Sequence, residues 1–212
     1  MTDADPHAAS RIADAAALRA VIGKPMDFVR AKLGAKLNPA MQDFVRKAPL
    51  LLVGTYDAED RIDISPKGYP GGFVEIESPT SLLIPERPGN RLTFGFNNIL
   101  ENGKIGLLFL VPSQRETLRV KGTATLHTDP AVLARMQVKG KPALLYTRVE
   151  IAECFFHCGK ALIRSHLWQP DKWNAETRSI AARQFAGEVA PDTAGVERTE
   201  AALKHSYDTT LY

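Results

Sequence analysis

The chain has 212 residues, 44% of them hydrophobic and 24% charged, which suits one well-buried globular domain and excludes a disordered or fibrous protein. Lys and Arg number 27 against 24 Asp and Glu, and the resulting net charge of +3 is too small for a polyanion groove, so anion binding must be local and nucleic acid is not an expected partner. The N-terminal stretch mixes Asp, Arg, His and Ala without an apolar core, and the longest apolar runs, "LLLV" and "GLLFLV", cannot span a bilayer; the expectation is a cytoplasmic protein without membrane contact.

The first elements are helical. "ADAAALRAVIG" ends on Gly23, Pro25 opens "PMDFVRAKLG" with its stop at Gly34, and Pro39 opens "PAMQDFVRKA", where Met41, Phe44 and Val45 recur at helical spacing. From residue 49 the period changes. "PLLLVGTYDAEDRIDISPKG" reads as a hairpin turning at Asp57 to Asp60, and "GFVEIE", "SLLIPE", "IGLLFLVP", "ETLRVKGTATLHT" and "ALLYTRVEIAECFF" follow as strands. Two helices interrupt them: "NRLTFGFNNILEN", and "DPAVLARMQ" with Asp129 as cap and Pro130 in its first turn. Beyond residue 158 the chain reads as mainly helical, with "APDTAG" at 190–195 as a loop. Six or seven closely spaced strands with few helices between them predict a mainly β antiparallel barrel with flanking helices rather than a parallel sheet. The expected organisation is one domain over 1–212: N-terminal helices over 1–47, the barrel over 48–157 and a helical extension over 158–212.

Few residues advertise chemistry. Cys154 and Cys158 in "ECFFHCGK", beside His157, lack two further ligands at zinc spacing and read as small thiols at a strand end. No nucleophile with an adjacent base and no distinctive carboxylate pair is visible. What stands out is "SPKG" at 65–68, a Lys held between Pro and Gly, together with "PERPGNRL" at 85–92. Lys67, Arg87 and Arg91 would combine an ammonium, fork-shaped guanidinium groups and the free N–H groups of a helix start, which is what a phosphate monoester requires. The same residue types also punctuate ordinary surface turns, and spacing alone leaves both readings open. Neither a P-loop nor a G-x-G-x-x-G pattern is present.

The ordered succession "RIDISPKGYPGGFVEI", "LLIPERPGNRL", "NILENGKIGLLFLVP", "ETLRVKGTATL" and "FFHCGKALIRSHLW" resembles the FMN-binding split-barrel proteins of the pyridoxamine 5′-phosphate oxidase-like superfamily, over about residues 15–170. Within that superfamily it is most similar to the predicted flavin-nucleotide-binding branch. The resemblance implies a six-stranded Greek-key split β-barrel that forms a homodimer, with FMN in each of two interface clefts. It places Lys67, Asn90 and Arg91 on the cofactor phosphate with Arg87 close by, and Ile64 and Ser65 beside the ribityl chain and ring. It directs Thr117 toward the cofactor, with Arg119 near it, and it brings Lys160, Arg164 and Trp168 across from the partner subunit. The bland roles for Thr117, Arg164 and Trp168 are a strand hydroxyl, an ion pair and packing.

The implied activity is an FMN-dependent oxidoreductase on a small organic substrate, with NADH or NADPH as electron donor. The alternatives are a flavin-carrying dimer, or a split barrel using deazaflavin or haem. The chain ends "EAALKHSYDTTLY", which departs from the basic, Trp-containing block with which pyridoxamine phosphate oxidases hold their substrate. Oxidation of pyridoxamine phosphate is therefore not the expected activity.

Overall fold

The computed structural model describes residues 6–26, 32–173, 180–189 and 192–210. The chain divides into two units, residues 1–33 and 34–212. In the first, a short 3-10 turn (Ala8–Ser10) precedes helix α1 (Ala15–Ile22). The Asp14 carboxylate accepts from the Ala17 amide at 2.8 Å, and Gly23, at φ 79°, closes the last turn as expected. The helix expected at 25–34 falls largely on residues 27–31, outside the described residues. Its expected last residue, Gly34, is not a helix stop: it exchanges both backbone hydrogen bonds with Cys154, at 3.1 and 2.7 Å.

The second unit opens with α2 (Pro39–Lys47), capped by Asn38, whose side-chain Oδ1 accepts from the Met41 amide at 2.9 Å. Met41, Phe44 and Val45 are buried, as their spacing requires, and the Phe44 ring meets Phe156 edge-on at 5.3 Å. Strands β1 (Leu50–Tyr56) and β2 (Ile62–Gly68) form the expected hairpin, in which the Asp57 carboxylate accepts from the Glu59 and Arg61 amides. Then come β3 (Glu75–Ser78), β4 (Ser81–Glu86), α3 (Phe94–Asn102), β5 (Lys104–Leu110), β6 (Thr117–His127), α4 (Pro130–Arg135) and β7 (Leu145–His157). Asp129 caps α4 through two backbone amides. After β7 follow α5 (Lys160–Arg164), α6 (Ile180–Val189) and α7 (Thr193–Thr210). The loop expected at 190–195 partly lies outside the described residues, and α7 begins inside it, with Asp192 accepting from the Gly195 amide.

All strands belong to one antiparallel sheet in the order β2-β1-β5-β6-β7-β4-β3. The seven strands are the seven segments read as strands, one more than the six that the resemblance implied; β3 is a four-residue edge strand that, among the described residues, pairs with β4 alone and is irregular between Ile76 and Ser78. Inward side chains from β1, β4, β5, β6 and β7, including Leu51, Ile84, Phe109, Leu118 and Val149, fill one core with the apolar face of α2. Because β4 and β5 lie on opposite sides of β6 and β7, the connection between them crosses the unit and carries α3 with it. Among the described residues no helix is long and apolar enough to cross a membrane.

Candidate functional site

Strand β2 alternates along its length: Asp63, Ser65 and Lys67 are half-buried, while Ile62 and Ile64 are 77% and 66% exposed. This alternation places Ser65 and Lys67 on one wall of a cleft of about 1740 Å³. The facing wall comes from the end of β4 (Ile84 to Glu86), the turn over 87–93 and the first residues of α3. The segment after α4, with Met136, Gln137 and Val138, adds to the lining together with Leu144 and Thr147, as does the stretch over 69–75. One hydrogen bond ties α3 to the hairpin, Asn98 donating to the buried Thr55 hydroxyl at 3.0 Å, and α3 comes so close there that a Cβ added to Gly95 would lie 3.2 Å from the Asp63 carboxylate.

Of the residues singled out by sequence, Ile64, Ser65, Lys67, Arg87, Asn90 and Arg91 all line this cleft. Their individual roles differ. Lys67 donates to Glu86 Oε2 at 2.6 Å, and its ammonium lies 4.8 Å from the centre of the Phe96 ring. Glu86 is 4% exposed, and burial pushes its carboxyl above the ordinary value even though Lys67 and the Thr147 hydroxyl, 3.4 Å from Oε1, pull the other way. Arg87 turns away from an anion role, since its guanidinium donates to the backbone carbonyls of Met136 and Lys141 and so braces the segment that forms the neighbouring wall. Asn90 accepts from the Leu92 amide at 3.1 Å, shaping the turn.

Arg91 is exposed and stands at φ 62°, two residues before Thr93, which starts α3 at φ 57° without a side-chain cap. Among the described residues no carboxylate pairs with Arg91, which leaves a guanidinium beside the uncapped start of a helix.

The other five residues are not part of this cleft within one chain. Thr117 is buried at the end of β6 opposite His157, and Arg119 lies over the Phe155 ring at 5.4 Å. Lys160 and Arg164 are exposed on α5. Trp168 donates to the Gln114 carbonyl at 2.7 Å and lines a separate cavity of about 350 Å³ with Arg115 and His166. Cys154 is buried with its thiol pushed up by burial, whereas Cys158 is exposed. Among the described residues no three His, Cys, Asp or Glu side chains gather as a metal site.

Sequence reading missed Glu86. The signal was present, because "SLLIPE" is buried over all six residues and a carboxylate ending such a run requires a cation. The partner, Lys67, is 19 positions away and is brought opposite only by the folding of β2 and β4 around the same cleft.

No curated protein matches this chain. Among solved structures it is similar to HupZ of Group A Streptococcus, at 21% identity over 57% of this chain and 93% of that one, with a TM-score of 0.47. An FMN-binding protein from Syntrophomonas wolfei is 12% identical over 54% of this chain and 86% of that one, with a TM-score of 0.40. HutZ, a heme storage protein from Vibrio cholerae, is 12% identical over 58% and 94%, also at 0.40. The family model described as pyridoxamine 5′-phosphate oxidase matches residues 37–158. That span is more than half of the chain and contains every strand and the whole lining of the large cleft, so the chain belongs to the pyridoxamine 5′-phosphate oxidase family.

Proposed function

We propose that the protein binds FMN in the cleft between β2 and the 87–93 turn and acts as an FMN-dependent oxidoreductase on a small organic substrate. The observation that carries this reading is the meeting of Ser65, Lys67, Arg91 and the start of α3 in one cleft. The donor set fits the cofactor: a hydroxyl, an ammonium, a guanidinium that meets no carboxylate among the described residues and helix-start amides suit a phosphate, and Phe96, Ile84 and Leu144 offer apolar surface to a ring. Membership in a family whose members commonly bind flavin supports it further.

In this reading Arg91 and the first amides of α3 hold the phosphate, Lys67 approaches it from the opposite wall, and Ser65 orients the chain between phosphate and ring. Arg87 keeps the 136–141 segment in place as a wall, which limits water at the ring. When bound, FMN supplies two-electron chemistry between a donor such as NADH or NADPH and the substrate. In a homodimer Lys160, Arg164 and Trp168 would reach the cofactor from the partner subunit, while Thr117, with Arg119 near it, would face it from β6; the outward Ile62, Ile64, Leu50 and Tyr56, all exposed in the single chain, favour such a twofold contact.

The test is a fluorescence titration with FMN and, separately, with riboflavin, which lacks the phosphate. FMN should bind at least tenfold more tightly, about the effect of one charge-assisted hydrogen bond. Equal affinity for the two would remove the phosphate assignment.

A further inference from the structure

We propose that Glu86 is the resting counter-ion of Lys67 and takes up a proton when a phosphate engages that lysine, so that ligand binding in the cleft is coupled to proton uptake. This inference rests on the FMN reading and adds to it a residue that controls the affinity.

The geometry leads there directly. Lys67 is 21% exposed at its side chain and Glu86 5%, and their contact of 2.6 Å faces the cleft interior. An ammonium has three donors, so Lys67 can meet a phosphate oxygen while keeping its bond to Glu86. The charges do not permit that arrangement as it stands. A dianion drawn to Lys67 would lie close to a buried carboxylate, and like charges in a poorly solvated site cannot both persist.

Arg91 and the α3 amides take part of the phosphate's charge from the other wall, but among the described residues no second cation meets Glu86 itself. Lys67 from β2 is the only charged side chain that meets Glu86 among the described residues. From β7 it meets the Thr147 hydroxyl, and α3 contributes the uncharged Phe96 ring on the Lys67 side. The adjacent Arg87 is committed to the carbonyls of Met136 and Lys141. Protonation of Glu86 is then the least costly release, and it is consistent with a carboxyl that burial already pushes upward. The carbonyl oxygen of the neutral acid can still accept from the ammonium, so the lysine keeps its position.

The experiment is isothermal calorimetry of FMN binding to the intact protein in two buffers of different ionisation enthalpy, from about pH 7 to about pH 8.5, where the FMN phosphate is already a dianion. Riboflavin serves as the probe without phosphate, and Glu86→Gln as the variant that cannot change charge. The wild type should take up close to one proton with FMN and none with riboflavin, and its Kd for FMN should rise by up to about tenfold per pH unit as that uptake approaches one proton. Glu86→Gln should bind FMN more tightly than the wild type at the upper end of the range, with no proton uptake and a flat pH profile. FMN binding without proton uptake overturns this proposal and leaves the flavin reading standing. Absence of FMN binding overturns both. The proton count on the wild type decides the matter even if the variant folds poorly.

Discussion

At Arg91 the backbone adopts a left-handed φ of 62°, a conformation that costs free energy in a non-glycine residue and is sustained where the surrounding turn demands it. Among the described residues the guanidinium it presents meets no carboxylate, unlike Lys67, so Arg91→Ala should weaken FMN by roughly 1.5–3 kcal/mol in a binding titration and leave riboflavin unchanged. Glu86 makes a second prediction, about stability. Its folded-state carboxyl titrates above the ordinary 4.5, so its contribution favours the fold below that pH and is lost as the pH rises through the raised value. Glu86→Gln removes that loss, and the difference in Tm between variant and wild type should move in favour of the variant from about pH 4 to about pH 8. A constant difference would mean that Glu86 does not titrate as its burial requires. Pro and Gly around Lys67 and Arg91 make both stand out in the sequence, and both line the cleft, but the turn expected at 65–68 is not there: Pro66, Lys67 and Gly68 are the end of β2, paired with Leu52, Leu51 and Leu50. Glu86 and the bracing role of Arg87 were not legible, since both depend on partners 19 and 49 or more positions away.

Helices and strands were legible where local chemistry acts alone. The caps Asp14, Asn38 and Asp129 each bond a backbone amide of the helix they precede, and the β1–β2 turn is built by Asp57. β3 was less legible: "GFVEIE" reads as six residues of strand, but edge position and irregular pairing with β4 leave four, Glu75–Ser78. The helix-start loop at 190–195 was overextended for a similar reason, because Asp192 caps α7 within it. The long β6–β7 pairing contains a register shift between Lys121 and Gly122, where a Cβ added to Gly122 would lie 1.9 Å from the Glu150 carbonyl oxygen. Gly122→Ala should therefore destabilise the unit by roughly 1–3 kcal/mol in chemical denaturation, as overpacking does. An unchanged midpoint would show that the two strands can separate there without cost.

The sheet order could not be read from strand spacing, because it follows from β4 and β5 settling on opposite sides of the β6–β7 pair, with α3 carried across between them. That crossing makes the cleft, since it brings the 87–93 turn and the α3 start to face β2. The outer face of the β2–β1 hairpin, with Ile62 opposite Tyr56 and Ile64 opposite Gly54, is the predicted contact with a second copy. Ile62→Lys, outside the cleft lining, should shift the protein from dimer to monomer by light scattering and lower FMN occupancy in parallel; a stable dimer in the variant would place the interface elsewhere. The most direct test of the central claim is the visible absorption spectrum of the purified protein after incubation with FMN and desalting. The account predicts a retained flavin band, which bleaches when NADH or NADPH is added anaerobically if one of these is the donor. A colourless protein after desalting would contradict it.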